Sequence, residues 1–508
     1  MKLKPMSPGD AAWFHMDGPA NTAVITSIML TRTPVDFEAV KRLYKERLPR
    51  FERFTQRVVE RGLPFATPHW EAMPDFSVEQ QMHHVALPPP GDDAALVELI
   101  SDLASTPIDR TRPLWDVHLV DGVGGGSALI TRMHHCIADG TATKLITDAL
   151  FGNGINTSNV PAREAPAAGR AENSPGVVEQ LLAPVLDTAQ RSVGQLRDAL
   201  SATVEAASHP QESLRKAGFA LAGAGMLAGE LLRTDDPPSP LKGEFGLKKR
   251  VAWSAPVALA DVKAIGAPLG AKINDVLVAG MTGALRTYLR RRGEDVDHTT
   301  VRAMVPVDLR PPERANELGN YFGIVLLDLA IRSRQRLQRV RATKANMSAL
   351  KQSPEPLAAL MLFNVMGRVP KALEDLSGRM FQRKASVVMT NVAGATEPLH
   401  LVGVPIERVM FWVPHPGTEL GVGISILSYC GSATLGVISD ARLLPDPEAI
   451  TQEFNREFAA MLKAVREKQE TTNKAASRGE PAIRKRAART TPVAQRTKPA
   501  RPRQRAAA

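Results

Sequence analysis

At 508 residues the chain is long enough for two or three domains of ordinary size, each able to bury its own core. Its two cysteines, Cys136 and Cys430, lie far apart and in no metal or redox spacing, which argues against a disulfide framework and for a reducing cytoplasm. The net charge of +11 belongs to one end: Thr471 to Ala508 carries eleven Lys or Arg against Glu480 alone, and removing these from totals of 64 and 53 leaves 53 basic and 52 acidic residues, so no folded basic module points to nucleic acid.

Met1 to Asp10 has two lysines followed by prolines and an acid where a signal peptide has an apolar core, so no ordinary signal peptide is expected. Thr22 to Thr31 reads as a strand, and Asp36 then caps a helix whose Phe37, Val40, Leu43, Tyr44 and Leu48 recur on one face. Leu96, Leu99, Ile100 and Leu103 mark a second amphipathic helix. Trp115 to Val120 and Ser127 to Met133 are strand-like runs around Asp121-Gly-Val-Gly-Gly-Gly126, which reads as a hairpin turn or as a phosphate-cradling loop; strands on both sides favour the hairpin.

From Gly152 to Lys249 the pattern loosens into prolines and two alanine-rich helical stretches, a crossover between halves. Within it Ala217 to Gly229 is uncharged for 13 residues, short of the roughly 20 that span a bilayer, so no transmembrane helix is expected. Strands resume at Val301 to Val307, Gly323 to Leu329 and Ser386 to Thr390, with helices after Asn274 and near Leu337 to Leu350. In the last helix Asp446 caps, Pro447 opens the first turn, and Ile450, Phe454, Phe458, Leu462 and Val465 share a face. The expected organisation is an α/β chain: an N-terminal half over 1–151, a linker over 152–249, a C-terminal half over 250–470 and a disordered basic tail over 471–508.

Chemistry concentrates at His134-His135-Cys136-Ile137-Ala138-Asp139-Gly140, between a strand and the helix-like run Thr141 to Leu150. A strand end is a rigid platform, and neutral imidazole accepts a proton near neutral pH. Neighbours on a strand face opposite ways, so His134 and His135 cannot both meet one substrate. Taken alone, such residues are more often a packed histidine beside a helix-capping Asp139 than a catalytic base, and both readings stand at this point. His134, His135 and Asp139 are also metal-ligand types, but no further nearby ligand completes a familiar set, and no metal is expected. Cys136 reads as a small buried residue, and the pair His83-His84, with no Asp-Gly after it, as packing or surface.

The pattern His-His-x-x-x-Asp-Gly resembles that of the superfamily of chloramphenicol acetyltransferase, carnitine acyltransferases and peptide-synthetase condensation domains. Met6-Ser-Pro-Gly-Asp10, Leu87-Pro-Pro-Pro-Gly91, Pro107 to Trp115, Asn274 to Ala279, Met304 to Arg310, Leu318-Gly-Asn320 and Thr390-Asn-Val392 together are similar to the bacterial wax ester synthase/diacylglycerol acyltransferase family, in order from about residue 5 to 465. That resemblance implies two CoA-dependent-acyltransferase-like domains with a tunnel between them. It implies His135 as general base, His134 as support and Asp139 as a partner that fixes the loop with Gly140. Pro113, Leu114 and Trp115 match a motif associated with the acyl-chain channel. Asn274 and Asp275 match a motif of the second half, with Asn274 a candidate oxyanion donor; helix capping is the local alternative. Asp308 departs from the small hydroxyl residue expected there, and the tail has no family counterpart.

The implied reaction moves a long fatty acyl group from acyl-CoA, a substrate rather than a cofactor, to diacylglycerol or a long-chain alcohol. An amide-forming condensation domain and a droplet-coating homologue without turnover are the alternatives. Such substrates imply a cytoplasmic protein that touches the inner membrane face or lipid inclusions, through Ala217 to Leu232 or the tail. Each basic residue near an anionic surface gains roughly 1 kcal/mol.

Overall fold

Residues 3–60, 67–152, 234–351, 382–415 and 417–478 are described by the computed structural model of the chain, and within them the apolar alternation of the sequence becomes two mixed sheets. A small antiparallel sheet stands apart, with β1 (Leu3–Pro5) and β3 (Gln56–Val59) flanking β4 (His69–Ala72). The first large sheet contains β2 (Val24–Thr31), β5 (Met82–Ala86), β6 (Trp115–Val123), β7 (Gly126–His134), β13 (His400–Leu401) and β14 (Val404–Trp412), in the order β13-β14-β2-β7-β6-β5. The second contains β8 (Lys249–Trp253), β9 (Val257–Ala258), β10 (Arg302–Asp308), β11 (Phe322–Asp328), β12 (Val387–Ala393), β15 (Val422–Tyr429) and β16 (Ser432–Asp440), in the order β11-β10-β12-β15-β16-β8 with β9 beside β16.

Strands β2 and β7 are buried along nearly their whole length, as strands covered on both faces must be. On one face Ile28, Ala128 and Ile130 pack with Leu96 and Ile100 of helix α3 (Asp93–Ser105). On the other, Ile25, Met29 and Leu129 join a core with Tyr44 of α2 (Phe37–Arg47) and Ile146 of α4 (Gly140–Phe151); α1 (Pro8–Met16) adds Trp13 and Phe14. Between β6 and β7 the hairpin is tight, with Gly124 and Gly125 both at positive φ (56° and 87°), the conformation a two-residue turn of this hand requires. The phosphate-loop alternative is thereby lost.

Strand β14 comes from residues 404–412 yet pairs with β2, from Ile406↔Thr31 to Trp412↔Thr26. The first sheet is therefore not made from residues 1–151 alone, and Met1–Leu462 forms one compact unit. Across this unit Lys249 and Asp440 make a buried ion pair (2.6 Å), and Asp236 accepts from Arg302 N and Ser386 Oγ (both 2.7 Å). The Asp235–Pro240 cluster, which reads as linker, is thus anchored at its acidic end. Residues 153–233, including Ala217 to Leu232, lie outside the described residues.

Among the described residues the remaining α-helices are α5 (Leu259–Gly266), α6 (Ile273–Arg291), α7 (Arg336–Lys351) and α8 (Pro447–Arg478). Before α8 the Asp446 carbonyl accepts from Ala449 N (3.1 Å), while its carboxylate accepts from the Tyr288 hydroxyl (2.7 Å). Helix α8 continues eight residues beyond 470, past the start expected for the tail; residues 479–508 lie outside the described residues.

Trp412 of β14 is 1% exposed and donates through Nε1 to the Ala252 carbonyl of β8 (3.1 Å), so one side chain joins the two sheets. Trp412→Ala is expected to destabilise the fold by about 3–5 kcal/mol, and Trp412→Phe by markedly less. Equilibrium denaturation measures both; equal losses would mean that packing volume contributes little here.

Candidate functional site

Strand β7 carries the two histidines out of the sheet, and the strand's alternation separates them. His134 N donates to Leu114 O and His135 N to Ala23 O, both at 2.9 Å. The His134 ring turns into the core, where Nδ1 accepts from Cys136 N (3.1 Å) and Nε2 lies 3.8 Å from Asp17 Oδ2. Burial holds its pKa down to about 3. The His135 ring lies flat on Trp13, with centroids 3.8 Å apart and planes 10° apart, and lines a cavity.

The tautomer of His135 follows from its neighbours. Asn320 uses its amide hydrogens on Asp10 Oδ1 (2.8 Å) and on the His135 carbonyl (2.9 Å). Its Oδ1, 3.0 Å from His135 Nδ1, must then accept, so Nδ1 carries the hydrogen and Nε2 the lone pair. Burial pushes the His135 pKa down to about 4, against smaller upward contributions from Asp139, Asn320 and Asp10. The imidazole is therefore neutral at pH 7.

Two buried carboxylates hold this arrangement. Asp10 of α1 accepts from Asn320 N (3.1 Å) and Nδ2 and from Arg53 Nη2 (2.8 Å). Arg53 Nη1 reaches the carbonyls of Cys136 (3.1 Å) and Ile137 (2.8 Å). Asp139 caps α4 through Ala142 N (2.9 Å), and also accepts from Arg310 Nη2 (2.8 and 2.7 Å) and Tyr321 N (2.9 Å). Charge-assisted bonds of this number make each buried ion tolerable, and occupy the carboxylate fully. Asp139 is thus placed to fix the loop, not to move protons. Burial pushes the Cys136 thiol pKa up, away from a thiolate.

The cavity holds about 410 Å³. Strands β10 and β12 pair only at Ala303↔Val387 and Met304↔Val388, then diverge, and Pro306, Asp308, Thr390 and Val392 beyond that point are among its walls. A proline in β10 suits a strand edge that has no ladder to complete. Apolar walls come from Ile25, Met29, Phe322, Ile324, Phe411 and Leu427; Gly140, Thr141 and Thr143 of α4 add polar ones. Asp308 accepts from Thr141 Oγ1 (2.8 Å) at this wall.

Of the residues singled out in the sequence, His135, Asp139 and Gly140 meet at the cavity. Pro113, Leu114 and Trp115 do not: all three are buried beside β7, with Trp115 Nε1 on the Phe54 carbonyl (3.0 Å), so they support the histidine strand. Asn274 is exposed on the first turn of α6 and does not line the cavity, because the helix start is fixed by Asp275, whose carboxylate accepts from Lys272 N (2.8 Å). The local capping reading describes this pair. His84 binds Asp121 (2.7 Å) and His83 stacks on His118, both away from the cavity walls. Sequence reasoning assigned no role to Trp13, Asp10, Arg53, Asn320 or Arg310. Asp10, Asn320 and Arg310 sat in segments that carried the family resemblance; Trp13 and Arg53 gave no signal.

The family model described as wax ester synthase/diacylglycerol acyltransferase catalytic domain matches residues 6–277, and the model of the C-terminal domain matches 318–462. A putative diacylglycerol O-acyltransferase of Mycobacterium bovis and a probable one of Mycobacterium tuberculosis are each 27% identical over 455 residues, covering 86% of this chain and 90% of theirs. The solved wax ester synthase/diacylglycerol acyltransferase from Marinobacter aquaeolei VT8 superposes with a TM-score of 0.62 at 21% identity, over 91% of this chain and 99% of its own. The first condensation domain of the calcium-dependent antibiotic synthetase gives 0.56 at 16% identity, over 91% and 97%. Both structures share the fold.

Because His135 is neutral when folded, its contribution to stability is complete above pH 6.5, the ordinary value, and is lost as pH falls from there towards about 4, where the folded ring itself protonates. NMR titration of the ring is expected to give a midpoint well below 6.5. Asn320→Asp puts a carboxylate beside Nδ1 and should move that midpoint up. A wild-type midpoint at or above 6.5, or an unmoved one in the variant, contradicts the arrangement.

Proposed function

The chain belongs to the wax ester synthase/diacylglycerol acyltransferase family and is an acyltransferase, and from that premise we propose that it transfers a long-chain acyl group from acyl-CoA to the hydroxyl of diacylglycerol or a long-chain alcohol, with His135 as general base. The observation that carries this reading is the lone pair on His135 Nε2, held by Asn320 at the wall of a largely apolar cavity.

Nε2 takes the acceptor's proton as its oxygen attacks the thioester carbonyl carbon. A C–O bond forms and the carbonyl becomes an oxyanion. When the C–S bond breaks, the leaving thiolate takes the proton from Nε2, which returns to neutral imidazole. The products are an ester and free CoA, and the only partners needed are the two substrates. Base catalysis of this kind contributes typically 10² to 10⁴ in rate.

The imidazolium formed on the way is met by three features. Asn320 holds Nδ1–H and is itself tied to Asp10, Asp139 contributes negative charge nearby, and the Trp13 face lies against the ring.

His135→Ala is expected to remove at least 99% of ester formation from palmitoyl-CoA with either diacylglycerol or hexadecanol, while the protein stays folded. Activity within about threefold of wild type, only ~0.65 kcal/mol of transition-state stabilisation, contradicts the assignment. His134→Ala should lose less; if it loses more, the roles are reversed.

Among the described residues no helix is long and apolar enough to cross a membrane. Lipid acceptors then call for peripheral contact, and the basic tail is suited to it. Deleting 479–508 removes nine of its eleven basic residues and is expected to weaken binding to anionic vesicles at low salt, with little change on neutral vesicles. Equal binding by both forms to anionic vesicles rules the tail out as the anchor.

A further inference from the structure

One wall of the cavity is a row of side chains along a single strand. Ile25, Ser27 and Met29 of β2 alternate onto it, and their neighbours on β14, Phe411 beside Ser27 and Val409 beside Met29, widen it. The row starts at His135, whose N–H is bonded to the Ala23 carbonyl just before β2. It ends one step past Met29. There Ile406, the ladder partner of Thr31, donates through N to the Leu399 carbonyl (2.8 Å) and accepts through O from the Tyr429 hydroxyl (2.7 Å). The same hydroxyl accepts from Leu399 N (2.9 Å). Leu399 and Tyr429 both line the cavity and are otherwise buried. Because the tyrosine oxygen is occupied by backbone groups, this end of the row is faced by a leucine side chain and an aromatic ring tied in place.

Length decides what fits such a row. From Ala23 to Met29 the strand advances six residues, about 20 Å at about 3.3 Å each. The hydrocarbon core of a bilayer is about 30 Å thick, so a single membrane acyl chain spans about 15 Å of it. The row therefore takes such a chain and ends soon after it. Of the two substrates, the donor is the one with a single unbranched chain leading from the reacting carbon whichever acceptor is used; diacylglycerol carries two chains on a branched glycerol. Resting on the acyltransferase reading above, we propose that the row from His135 to Leu399 holds the acyl chain of the donor, and that Leu399, backed by the Tyr429 ring, sets the longest chain the enzyme accepts. Extra methylenes have no space to enter at a close-packed, fixed end, so a longer chain must buckle or hold its thioester short of His135.

The test compares kcat/KM for dodecanoyl-, palmitoyl- and docosanoyl-CoA, with hexadecanol as the fixed acceptor. The wild-type protein is expected to use palmitoyl-CoA at least tenfold better than docosanoyl-CoA. Leu399→Ala lengthens the row and should raise the docosanoyl-to-palmitoyl ratio at least fivefold, whereas Leu399→Phe shortens it and should raise the dodecanoyl-to-palmitoyl ratio at least fivefold. Ile324→Ala, which enlarges the same cavity at another wall, should leave both ratios within twofold of wild type. A general structural defect lowers all rates and leaves the ratios in place. With palmitoyl-CoA as the fixed donor, the preference among dodecanol, hexadecanol and docosanol should not move in the Leu399 variants. Equal use of docosanoyl- and palmitoyl-CoA by the wild-type protein overturns the proposal, as do ratios unmoved in both Leu399 variants, equal shifts in Ile324→Ala, or a shift found in the alcohol series instead. Each of these leaves the acyltransferase reading standing; absence of turnover of every acyl-CoA by the wild-type protein removes that reading itself.

Discussion

The side chain of Asn320 is the contact on which the site depends. Its oxygen sets the His135 tautomer, and its nitrogen ties both the His135 backbone and Asp10. Three separate parts of the chain, the first helix, the end of β7 and the segment before β11, therefore meet at one amide. Its partners Asp10 and His135 are buried, and a buried group left unpaired costs about 1–3 kcal/mol. Asp139 repeats the pattern one turn further on, binding Arg310 and Tyr321 of the later segment while it caps α4. The site exists only when residues near 10, 135 and 320 are folded together.

Burial then gives the base its state. An exposed histidine would be partly protonated at neutral pH; here desolvation outweighs the nearby carboxylates and keeps Nε2 free to accept. The same dryness that lowers the resting basicity strengthens the hydrogen bonds that receive the charged intermediate. His134 shares the strand and the burial but faces the core, and its ring is engaged by Cys136 N instead of the cavity.

The divergence of β10 and β12 supplies the space. Two sheets packed at ordinary density leave no room for a long chain, so the ladder must open somewhere, and it opens after Met304↔Val388. The strands themselves were legible in the sequence: Thr22 to Thr31 and Ser127 to Met133 correspond to β2 and β7, because apolar runs with turn residues at their ends report burial directly. The turn at Gly124-Gly125, the cap at Asp139 and the pairing of two unlike histidines were legible for similarly local reasons. What local pattern cannot carry is contact across 185 residues, such as His135 with Asn320, or the entry of β14 into the first sheet beside β2. Asn274 and the Pro113-Leu114-Trp115 run illustrate the converse. Their resemblance to family motifs was plain, but a motif marks a position and not the direction its side chain takes, and these serve a helix start and a strand support.

The central claim is that Asn320 acts through His135, and a double-mutant cycle on the ester-forming rate tests it most directly. Asn320→Ala is expected to lower the rate about tenfold or more in the wild-type background, the scale of one buried hydrogen bond. In the His135→Ala background the same substitution should change the small remaining rate by less than twofold. An equal loss in both backgrounds would contradict a shared role and assign Asn320 to the fold alone.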